Sequence, residues 1–331
     1  MPSHTFQAPL SAEAMNLQME AIMAGRRPVS EIRDFLSTLA RRGETAEEIA
    51  AAVTMLRKHA VRVPLSGTFE VCDTCGTGGD GTGSVNVSTL AALVAAGAGV
   101  RISKHGNRAA SSLCGSADLL EALGVNLDAS QEQVGQCIEE AGFGFCFAPR
   151  FHPAMKAVAQ IRRELKIRTI FNLIGPLANP VPLAFQLVGV AERRLMRPIA
   201  EALVRLDVRH ALVVHGRDGM DEVTTTAMTD ALEVRGEGVT PMLIDPVKLG
   251  LKRGRPEDLR GGDVRRNAEI AKQLLQGKAS PVRDIVVLNA GCAAYCADTV
   301  SSIQEGMAKA DAALSSKAAL RVLNAVKQLT R

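Results

Sequence analysis

Apolar residues in roughly the first 65 positions recur three and four residues apart, which is the spacing of one face of a helix. The first such face is formed by Met15, Met19, Ile22 and Met23, and the second by Ile32, Phe35, Leu36 and Leu39. Thr45 and Glu48 then have the spacing of a capping box at the start of a third helix. Pro64 and Gly67 break the pattern, so this part of the chain is predicted to be all helical.

From residue 68 onward, short β-prone runs alternate with helical runs. The predicted strands are FEVCDTC, GVRISKH, FQLVGVA and HALVVHG, and helical runs such as STLAALVAAG and GSADLLEALG separate them. This alternation predicts an α/β fold with a mainly parallel central sheet flanked by helices. Residues 239–263, rich in Gly and Pro, are predicted to be a long irregular connection. The remainder, from Arg265, is predicted to be helical with one apolar strand, DIVVLNA.

The chain has 331 residues, enough for two units at about 150 residues each. Its net charge of +4 is too small for a strongly cationic nucleic-acid coat, although it leaves room for a local anion site. The N-terminus lacks the pattern of a signal peptide, and the longest nearly apolar stretch is too short to span a bilayer. We therefore expect a cytoplasmic protein that binds neither nucleic acid nor membranes.

Seven cysteines are scattered along the chain, and two close pairs have the spacing of metal ligands. Cys72 and Cys75 lie at the end of a predicted strand, and Cys292 and Cys296 lie in an Ala-rich helical run. A zinc site built from both pairs is possible on spacing alone. Small buried thiols are the favoured interpretation in a chain without a secretory signal.

The strongest chemical feature is GTGGDGTGSVNVST, which runs from Gly76 to Thr89 between a predicted strand and a predicted helix. Its five glycines allow left-handed backbone, and amide groups freed in such a turn form a concave anion site. Ser88 and Thr89 can cap the following helix, whose N-terminus also favours phosphate. Asp80 inside an anion-binding loop indicates a phosphate ligand that carries Mg²⁺.

The loop differs from two other kinds of phosphate-binding loop. The loop contains G-x-G-x-x-G, but SVNVST separates the glycines from the helix, and no acidic residue follows about 20 positions on. A Walker loop is excluded because no GK[ST] follows. A flexible surface turn is the remaining alternative, and five glycines between a strand and a helix disfavour it.

A second group of polar residues, SKHGNRAASSLCGSAD, follows the next predicted strand. It contains Lys104, His105, Asn107, Arg108, Ser111, Ser112 and Ser116. In open α/β sheets ligands bind at the carboxyl ends of the strands, so this basic, hydroxyl-rich segment and the glycine loop can flank one polyphosphate. Singly, these residues also fit a structural histidine and a solvated basic rim.

Two further features carry charge. Asp221 and Glu222 are adjacent carboxylates just after a strand and a turn, which suits magnesium but also suits a solvated acidic turn. Arg162 falls inside the apolar stripe of a helix formed by Met155, Val158, Ile161 and Leu165. An inward guanidinium needs an anion, either an internal carboxylate or the carboxylate of a substrate.

Together, GTGGDG…NVST, KHGNR..SS..GSAD.LEALG, RREL.IRTIFN..GPL.NP, HG.DG.DE and LRGGD…NAEIA resemble the motif set of the anthranilate phosphoribosyltransferase family. The match runs from about Met15 to the C-terminus. It implies a small helical domain, residues 1–66 with a returning segment near 150–180, beside a large α/β domain of residues 67–149 and 181–331. It also implies a homodimer formed through the helical domain.

The resemblance implies a glycosyltransferase that joins anthranilate to 5-phosphoribosyl 1-diphosphate in tryptophan biosynthesis and releases pyrophosphate. It also implies Mg²⁺, two ions per subunit, one or both arriving with the diphosphate. The metal ligands carried over are Ser88, Asp221 and Glu222. The anthranilate-positioning residues carried over are Gly76, His105, Asn107, His152 and Arg162. The diphosphate-binding residues carried over are Gly76, Gly79, Asp80, Ser84, Asn86, Val87, Ser88, Thr89, Lys104, His105, Gly106, Asn107, Arg108, Ala109, Ala110, Ser111, Ser112 and Ser116.

Two alternative functions remain at this point. A nucleoside phosphorylase shares the implied fold type but needs no Asp-Glu metal pair. A non-catalytic relative that binds nucleic acid through a basic face is the other, and the intact glycine loop and small net charge argue against it.

Overall fold

A seven-stranded sheet lies at the centre of the structure, a computed structural model that describes residues 6–67, 69–109 and 112–331. The strands are β1 (Cys72–Gly76), β2 (Ile102–Gly106), β3 (Phe143–Phe147), β4 (Phe185–Gly189), β5 (His210–Gly216), β6 (Thr229–Arg235) and β7 (Gly238–Ile244). Their spatial order is β3-β2-β1-β4-β5-β6-β7. Neighbours among the first five strands are parallel, and β6 and β7 are antiparallel, which confirms the predicted mainly parallel sheet.

Helices cover both faces of the sheet. They are α1 (Ala12–Met23), α2 (Val29–Arg42), α3 (Ala46–Lys58), α4 (Val87–Gly97), α5 (Ser116–Ala122), α6 (Gln131–Gln136), α7 (Ala148–Phe151), α8 (Lys156–Leu165), α9 (Ile170–Ile174), α10 (Met196–Arg205), α11 (Val264–Leu275), α12 (Pro281–Cys296), α13 (Ile303–Ser315) and α14 (Ala318–Leu329). A π-helical turn at Cys137–Ala141 continues α6, and short 3₁₀ turns lie at Pro153–Met155, Arg193–Leu195 and Pro256–Leu259.

The three N-terminal helices form as the periodicity predicted. The apolar faces of α1 and α2 are buried, and the capping box of Thr45 and Glu48 begins α3. Their side chains share one apolar cluster with Val158 and Ile161 of α8 and with α9 and α10. The cluster continues onto one face of the sheet through β4 and β5, so the helical N-terminus and the residues after β3 are packed together.

The opposite face of the sheet is covered by α4, α12, α13 and α14, which form a second apolar cluster. Glycines allow the helices in this layer to approach closely. A Cβ on Gly306 of α13 would overlap the backbone oxygen of Gly291 in α12. The backbones of α12 and α13 are therefore in direct contact on this face of the sheet.

The predicted irregular connection at 239–263 is wrong in its first part, because residues 238–244 form the edge strand β7. Strand β7 pairs with β6 through a two-residue turn in which Gly236 has a φ of 54°. Pro241 disfavoured a strand on sequence grounds. An edge strand tolerates proline because the N–H that it lacks need not pair with an inner neighbour.

The predicted apolar strand DIVVLNA is also wrong, because residues 284–290 belong to α12. The Ser280 hydroxyl accepts a hydrogen bond from the Arg283 N–H at 3.3 Å, and Pro281 occupies the first turn of the helix. Since α12 is buried on nearly all sides, it lacks the polar face that would have shown a helical period. Strand β3, by contrast, had no sequence prediction at all.

Within the described ranges, no helix has both the length and the apolar character required to cross a membrane.

Candidate active site

The loops that follow β1, β2, β4 and β5 meet at one edge of the sheet. Strands β1 and β4 are paired so that Gly76 lies beside Gly189 at this edge. A Cβ on Gly76 would overlap the Asp221 carboxylate, and a Cβ on Gly189 would overlap the Asp221 backbone oxygen. Glycine at both strand ends therefore lets the acidic segment after β5 approach the glycine loop after β1.

The glycine loop adopts the predicted left-handed backbone. Gly78, Gly79, Gly81 and Gly83 have φ angles of 65°, 78°, 71° and 66°. The N–H of Gly78 donates to the Asp221 carboxylate at 2.7 Å. These positive φ angles strongly favour glycine, so other residue types at these four positions would strain the loop.

A segment that sequence reasoning left out of the site holds this loop from outside. The Gly261 N–H donates to the Gly83 carbonyl at 3.0 Å, and Ser84 forms an isolated β-bridge with Arg260. A Cβ on Gly261 would press on the Ser84 backbone. The LRGGD motif was the only sequence signal for this contact, and nothing in its spacing showed that it reaches the glycine loop.

Helix α4 begins at Val87 with Asn86 as its N-cap, so Ser88 and Thr89 lie inside the first turn and do not act as the predicted cap. The Asn86 amide instead donates to the Cys114 carbonyl at 2.9 Å. The Ser88 N–H donates to the Glu222 carboxylate at 3.0 Å. The N-terminus of α4 thus faces the acidic pair, as a site for a metal-bound phosphate requires.

The carboxylates of Asp80, Asp221 and Glu222 lie close together at this edge. Burial, followed by the charge of Asp80, raises the pKa of Asp221 to about 6. Burial, followed by the charge of Asp221, raises the pKa of Glu222 to about 8. The interpretation of Asp221 and Glu222 as a solvated acidic turn therefore does not fit, since Asp221 is buried and Glu222 is half-buried.

Lys104 is a buried cation close to these groups. Its ammonium donates to the Thr74 carbonyl and lies 3.5 Å from the Ser88 hydroxyl. Its charge opposes the increase in the pKa of Glu222. A lysine that is only 2% exposed is not part of a solvated rim, so that alternative is excluded for this residue.

The loop between β2 and α5 is described except for Ala110 and Ser111, which lie outside the described residues. The Ser116 hydroxyl accepts from the Asn107 N–H at 3.1 Å and holds the start of the loop. Ala109 donates its N–H to Asp118, and Ser112 is exposed. The Arg108 guanidinium binds Asp118 and Glu121 of α5, at 3.0 and 2.7 Å, so its side chain is already paired.

His105 and His152 stack edge to face with ring centroids 5.0 Å apart. Nδ1 of His105 lies 3.0 Å from the Gly175 carbonyl. Burial lowers the pKa of His105 to about 3 and that of His152 to about 4, so both rings are neutral at pH 7. Nε2 of His105 is buried and makes no hydrogen bond to any described residue, whereas the His152 ring lies close to the backbone carbonyls of Leu56 and Ala178.

Arg162 lies on α8 with its guanidinium 5.6 Å from the centre of the Phe171 ring. Burial lowers the pKa of this guanidinium, and no carboxylate in the described part of the chain forms an ion pair with it. The neighbouring Arg163 is exposed. The internal salt bridge that the sequence allowed is thus not formed among the described residues.

Beneath the ligand-facing groups lies a polar network that sequence reasoning missed. Asp73 accepts hydrogen bonds from the Asn179 amide at 2.9 Å and the His105 N–H at 3.3 Å. Burial raises the pKa of Asp73 to about 6. Asn179 also donates to the Ser103 carbonyl. Only the GPL.NP motif signalled Asn179, and its partners are more than 70 residues away.

The described residues contain no group of three or more His, Cys, Asp or Glu side chains arranged to hold a metal ion by themselves. A cation at Asp221 and Glu222 would therefore need ligands from elsewhere, such as phosphate oxygens and water.

Comparisons with known proteins agree with this geometry. The model of the glycosyl transferase family a/b domain matches residues 68–320, and that of the helical bundle domain of the same family matches residues 6–60. An anthranilate phosphoribosyltransferase from Rubrobacter xylanophilus is 49% identical over 98% of this chain and 94% of its own length. One from Clostridium beijerinckii is 46% identical over 91% of this chain and 88% of its own.

Solved structures show the same architecture. The crystal structure of anthranilate phosphoribosyltransferase from Thermus thermophilus matches with a TM-score of 0.93 and 45% identity, covering 98% of this chain and 97% of that one. The Saccharomyces cerevisiae enzyme in complex with PRPP and Mg matches with a TM-score of 0.90 and 28% identity, covering 97% and 93%. The sequence, fold and glycine-loop edge agree, and this chain therefore belongs to the anthranilate phosphoribosyltransferase family.

Proposed function

We infer that the chain carries out the reaction that names its family, and that it does so at the edge where β1, β2, β4 and β5 end. In this reaction the phosphoribosyl group of 5-phosphoribosyl 1-diphosphate (PRPP) moves to the amine of anthranilate, and pyrophosphate leaves. The observation that carries the assignment of the site is the contact between the left-handed glycine loop and the buried carboxylates of Asp221 and Glu222.

The diphosphate substrate is proposed to lie against the glycine loop, the first turn of α4 and the segment from Lys104 to Ser116. Backbone N–H groups of the loop and the helix N-terminus suit its negative oxygens. Among the described residues, the N–H groups of Gly79, Asp80 and Gly81 make no hydrogen bond within the protein. Such donors, held in place before the ligand arrives, stabilise the charge that develops on the leaving pyrophosphate.

Magnesium fits the residues present. Burial first, and then the charge of a neighbouring carboxylate, raises the pKa values of Asp221 and Glu222, so a divalent cation beside them would favour their charged forms. We propose that these two residues and Ser88 hold the ion, which when bound supplies positive charge to the diphosphate oxygens. From the family resemblance we further propose two ions per subunit, whose remaining ligand positions would be filled by diphosphate oxygens and water.

Anthranilate is proposed to bind between α8 and the end of β2. Arg162 is an unpaired, largely shielded cation that matches a carboxylate. Asn107, Gly76 and the neutral rings of His105 and His152 complete the pocket. With both histidines neutral, Arg162 is the cation that orients the acid, and the weakly basic amine is left free to attack the ribose carbon. Catalysis then comes mainly from positioning and charge stabilisation.

The decisive assay follows the fluorescence of anthranilate. Loss of signal should require both PRPP and Mg²⁺, and omission of either should leave the signal constant. Incubation with thymidine and phosphate should release no thymine. Thymine release with unchanged anthranilate would identify a nucleoside phosphorylase and refute the proposed reaction.

The division into a helical unit, residues 1–66 with about 150–180, and an α/β unit of the remaining residues is proposed on the shared apolar cluster of α1–α3 with α8 and α9. A homodimer through the helical unit is likewise proposed. Its support is Leu17, which lies on α1 with 64% of its surface exposed.

A further inference from the structure

Arg168 lies in the short link between α8 and α9, in the RREL.IRTIFN motif that also contains Arg162. Its Nη1 group donates to the Gly78 carbonyl at 3.2 Å. Its Nε group lies 3.5 Å from the carboxylate of Glu192, just beyond the end of β4. Arg168 therefore connects the segment that follows the Arg162 helix with the loops that follow β1 and β4.

The guanidinium is not saturated by these contacts. Nη2 is shielded from solvent and forms no hydrogen bond with any described residue, and Nε is shielded with the Glu192 carboxylate at ion-pair distance but no well-aligned hydrogen bond. A shielded donor without an acceptor destabilises a folded chain, so the Nη2 group of Arg168 calls for an explanation. Arg163 and Arg194 are exposed, which makes Arg168 different from its basic neighbours.

The contact with Gly78 has a consequence for the next residue. Gly78 is held on both sides: its N–H donates to Asp221 at 2.7 Å, and its carbonyl accepts from Arg168. In a planar trans peptide the carbonyl and the following N–H point in opposite directions. The Gly79 N–H is therefore directed away from Arg168, and it has no acceptor among the described residues.

We propose that Arg168 is a positioning residue for the diphosphate substrate. By holding the Gly78 carbonyl, it sets the plane of the peptide between Gly78 and Gly79 and presents the Gly79 N–H to a phosphate oxygen. This inference rests on the proposed function, because it assumes that the glycine loop binds PRPP. It also links the two substrates, since the segment that carries Arg162 is thereby tied to the diphosphate loop.

The test compares Arg168→Ala and Arg168→Lys with the wild type in steady-state kinetics. Arg168→Ala should raise the KM for PRPP by about 3- to 15-fold, the scale of one hydrogen bond, and leave the KM for anthranilate within about twofold. Arg168→Lys keeps a donor for the carbonyl but lacks the planar fork, so its KM for PRPP should lie between those of the wild type and the alanine variant.

Arg194→Ala is the matched control. Arg194 pairs with the same Glu192 at 2.8 Å but makes no contact with the glycine loop, so its removal should leave both KM values unchanged. Calorimetric titration of PRPP with Mg²⁺, without anthranilate, should show the same loss of affinity in Arg168→Ala. Thermal unfolding checks that each variant is folded. If Arg168→Ala does not fold, the PRPP affinity of Arg168→Lys is compared with that of the wild type instead.

Two results would overturn the proposal. One is a lowered melting temperature for Arg168→Ala with unchanged PRPP affinity, which would give Arg168 a purely structural role. The other is an increase in the KM for anthranilate alone, which would place it at the acceptor. Failure of the proposed function is a separate result: wild-type protein would then form no product, while the titration would still compare PRPP affinities.

Discussion

At the scale of single residues, this site is built from charges that the protein itself leaves unbalanced. Arg162 is a largely shielded cation without a carboxylate partner among the described residues, whereas burial and a neighbouring carboxylate raise the pKa values of Asp221 and Glu222. The helical period identified Arg162 as inward-facing from sequence. The crowding of Asp80 with Asp221 was not visible, because the two residues are 141 positions apart.

Replacing Arg162 with alanine should weaken the use of anthranilate by about 10- to 150-fold in kcat/KM, since one charged hydrogen-bonding partner of its carboxylate is lost. The KM for PRPP should change little. Arg163→Ala is the control, because Arg163 lies on the same helix but faces solvent. Unchanged kinetics for the Arg162 variant would exclude it as the carboxylate ligand.

The raised pKa of Glu222 should make metal-free stability depend on pH. With a folded pKa of about 8 and an unfolded value near 4.5, the folded state binds more protons between these limits, so stability falls as pH rises. Between pH 7 and 8.5 the histidines His105 and His152 are mostly neutral in both states. In EDTA the melting temperature should therefore decrease across this range.

Glu222→Gln should reduce that slope, because glutamine does not titrate, and the remainder comes from the buried cysteine thiols, whose pKa values burial also raises. The same variant should also raise the Mg²⁺ concentration needed for half-maximal activity. A wild-type melting temperature that rises from pH 7 to 8.5 in EDTA, or a Glu222→Gln protein with the wild-type magnesium requirement, would contradict the assignment of Glu222 as a buried metal ligand.

At the scale of elements, the site residues follow the ends of the strands, and helix α12 binds the backbone next to the acidic pair. Asn289 of α12 donates to the Val223 carbonyl at 2.8 Å and accepts from the Val223 N–H at 3.0 Å. Val223 directly follows Glu222, so this helix fixes the backbone of the acidic pair. The sequence interpretation of residues 284–290 as a strand concealed this role, since a helix buried all round shows no polar face.

Asn289→Ala should therefore affect both stability and metal use. The buried N–H and carbonyl of Val223 lose their partners, which should lower the free energy of unfolding by about 1–3 kcal/mol or more, as measured by urea denaturation. The magnesium requirement should rise as the acidic pair loses its support. Asn324→Ala, an exposed site on α14, should change stability by no more than about 0.5 kcal/mol. Equal stabilities of the two variants would contradict this role for Asn289.

At the scale of the whole molecule, the chain brings two clusters of apolar side chains to opposite faces of one sheet. The acceptor side, with Arg162 on α8, lies in the cluster that contains the N-terminal helices, and the diphosphate side follows the strand ends. The exposed Leu17 on α1 is a side chain of this helical unit that the dimer proposed above would cover.

The proposed dimer predicts a sedimentation mass about twice the chain mass of 35.1 kDa. Leu17→Glu should shift the protein toward the monomer, because it places a charge in the apolar contact. Leu243→Glu is the matched control, since Leu243 is also exposed but lies on the edge strand β7. Dissociation by the Leu243 variant alone would move the interface from the helical unit to the sheet edge.

The sequence by itself determined what depends on near neighbours along the chain. The faces of α1 and α2, the capping box of Thr45 and Glu48 and the left-handed glycine loop each arise from residues a few positions apart. Periodicity and turn chemistry act over that range, so they could be interpreted without a structure.

Only the tertiary structure decided which distant segments meet. It brought Arg108 into ion pairs with residues of α5. It also brought the Gly261 N–H to the Gly83 carbonyl and the Arg168 guanidinium to the Gly78 carbonyl. It also formed the hairpin of β6 and β7, although Pro241 disfavoured a strand there. These outcomes depend on which buried faces and unpaired polar groups come together on folding, and a short stretch of sequence contains only one side of each contact.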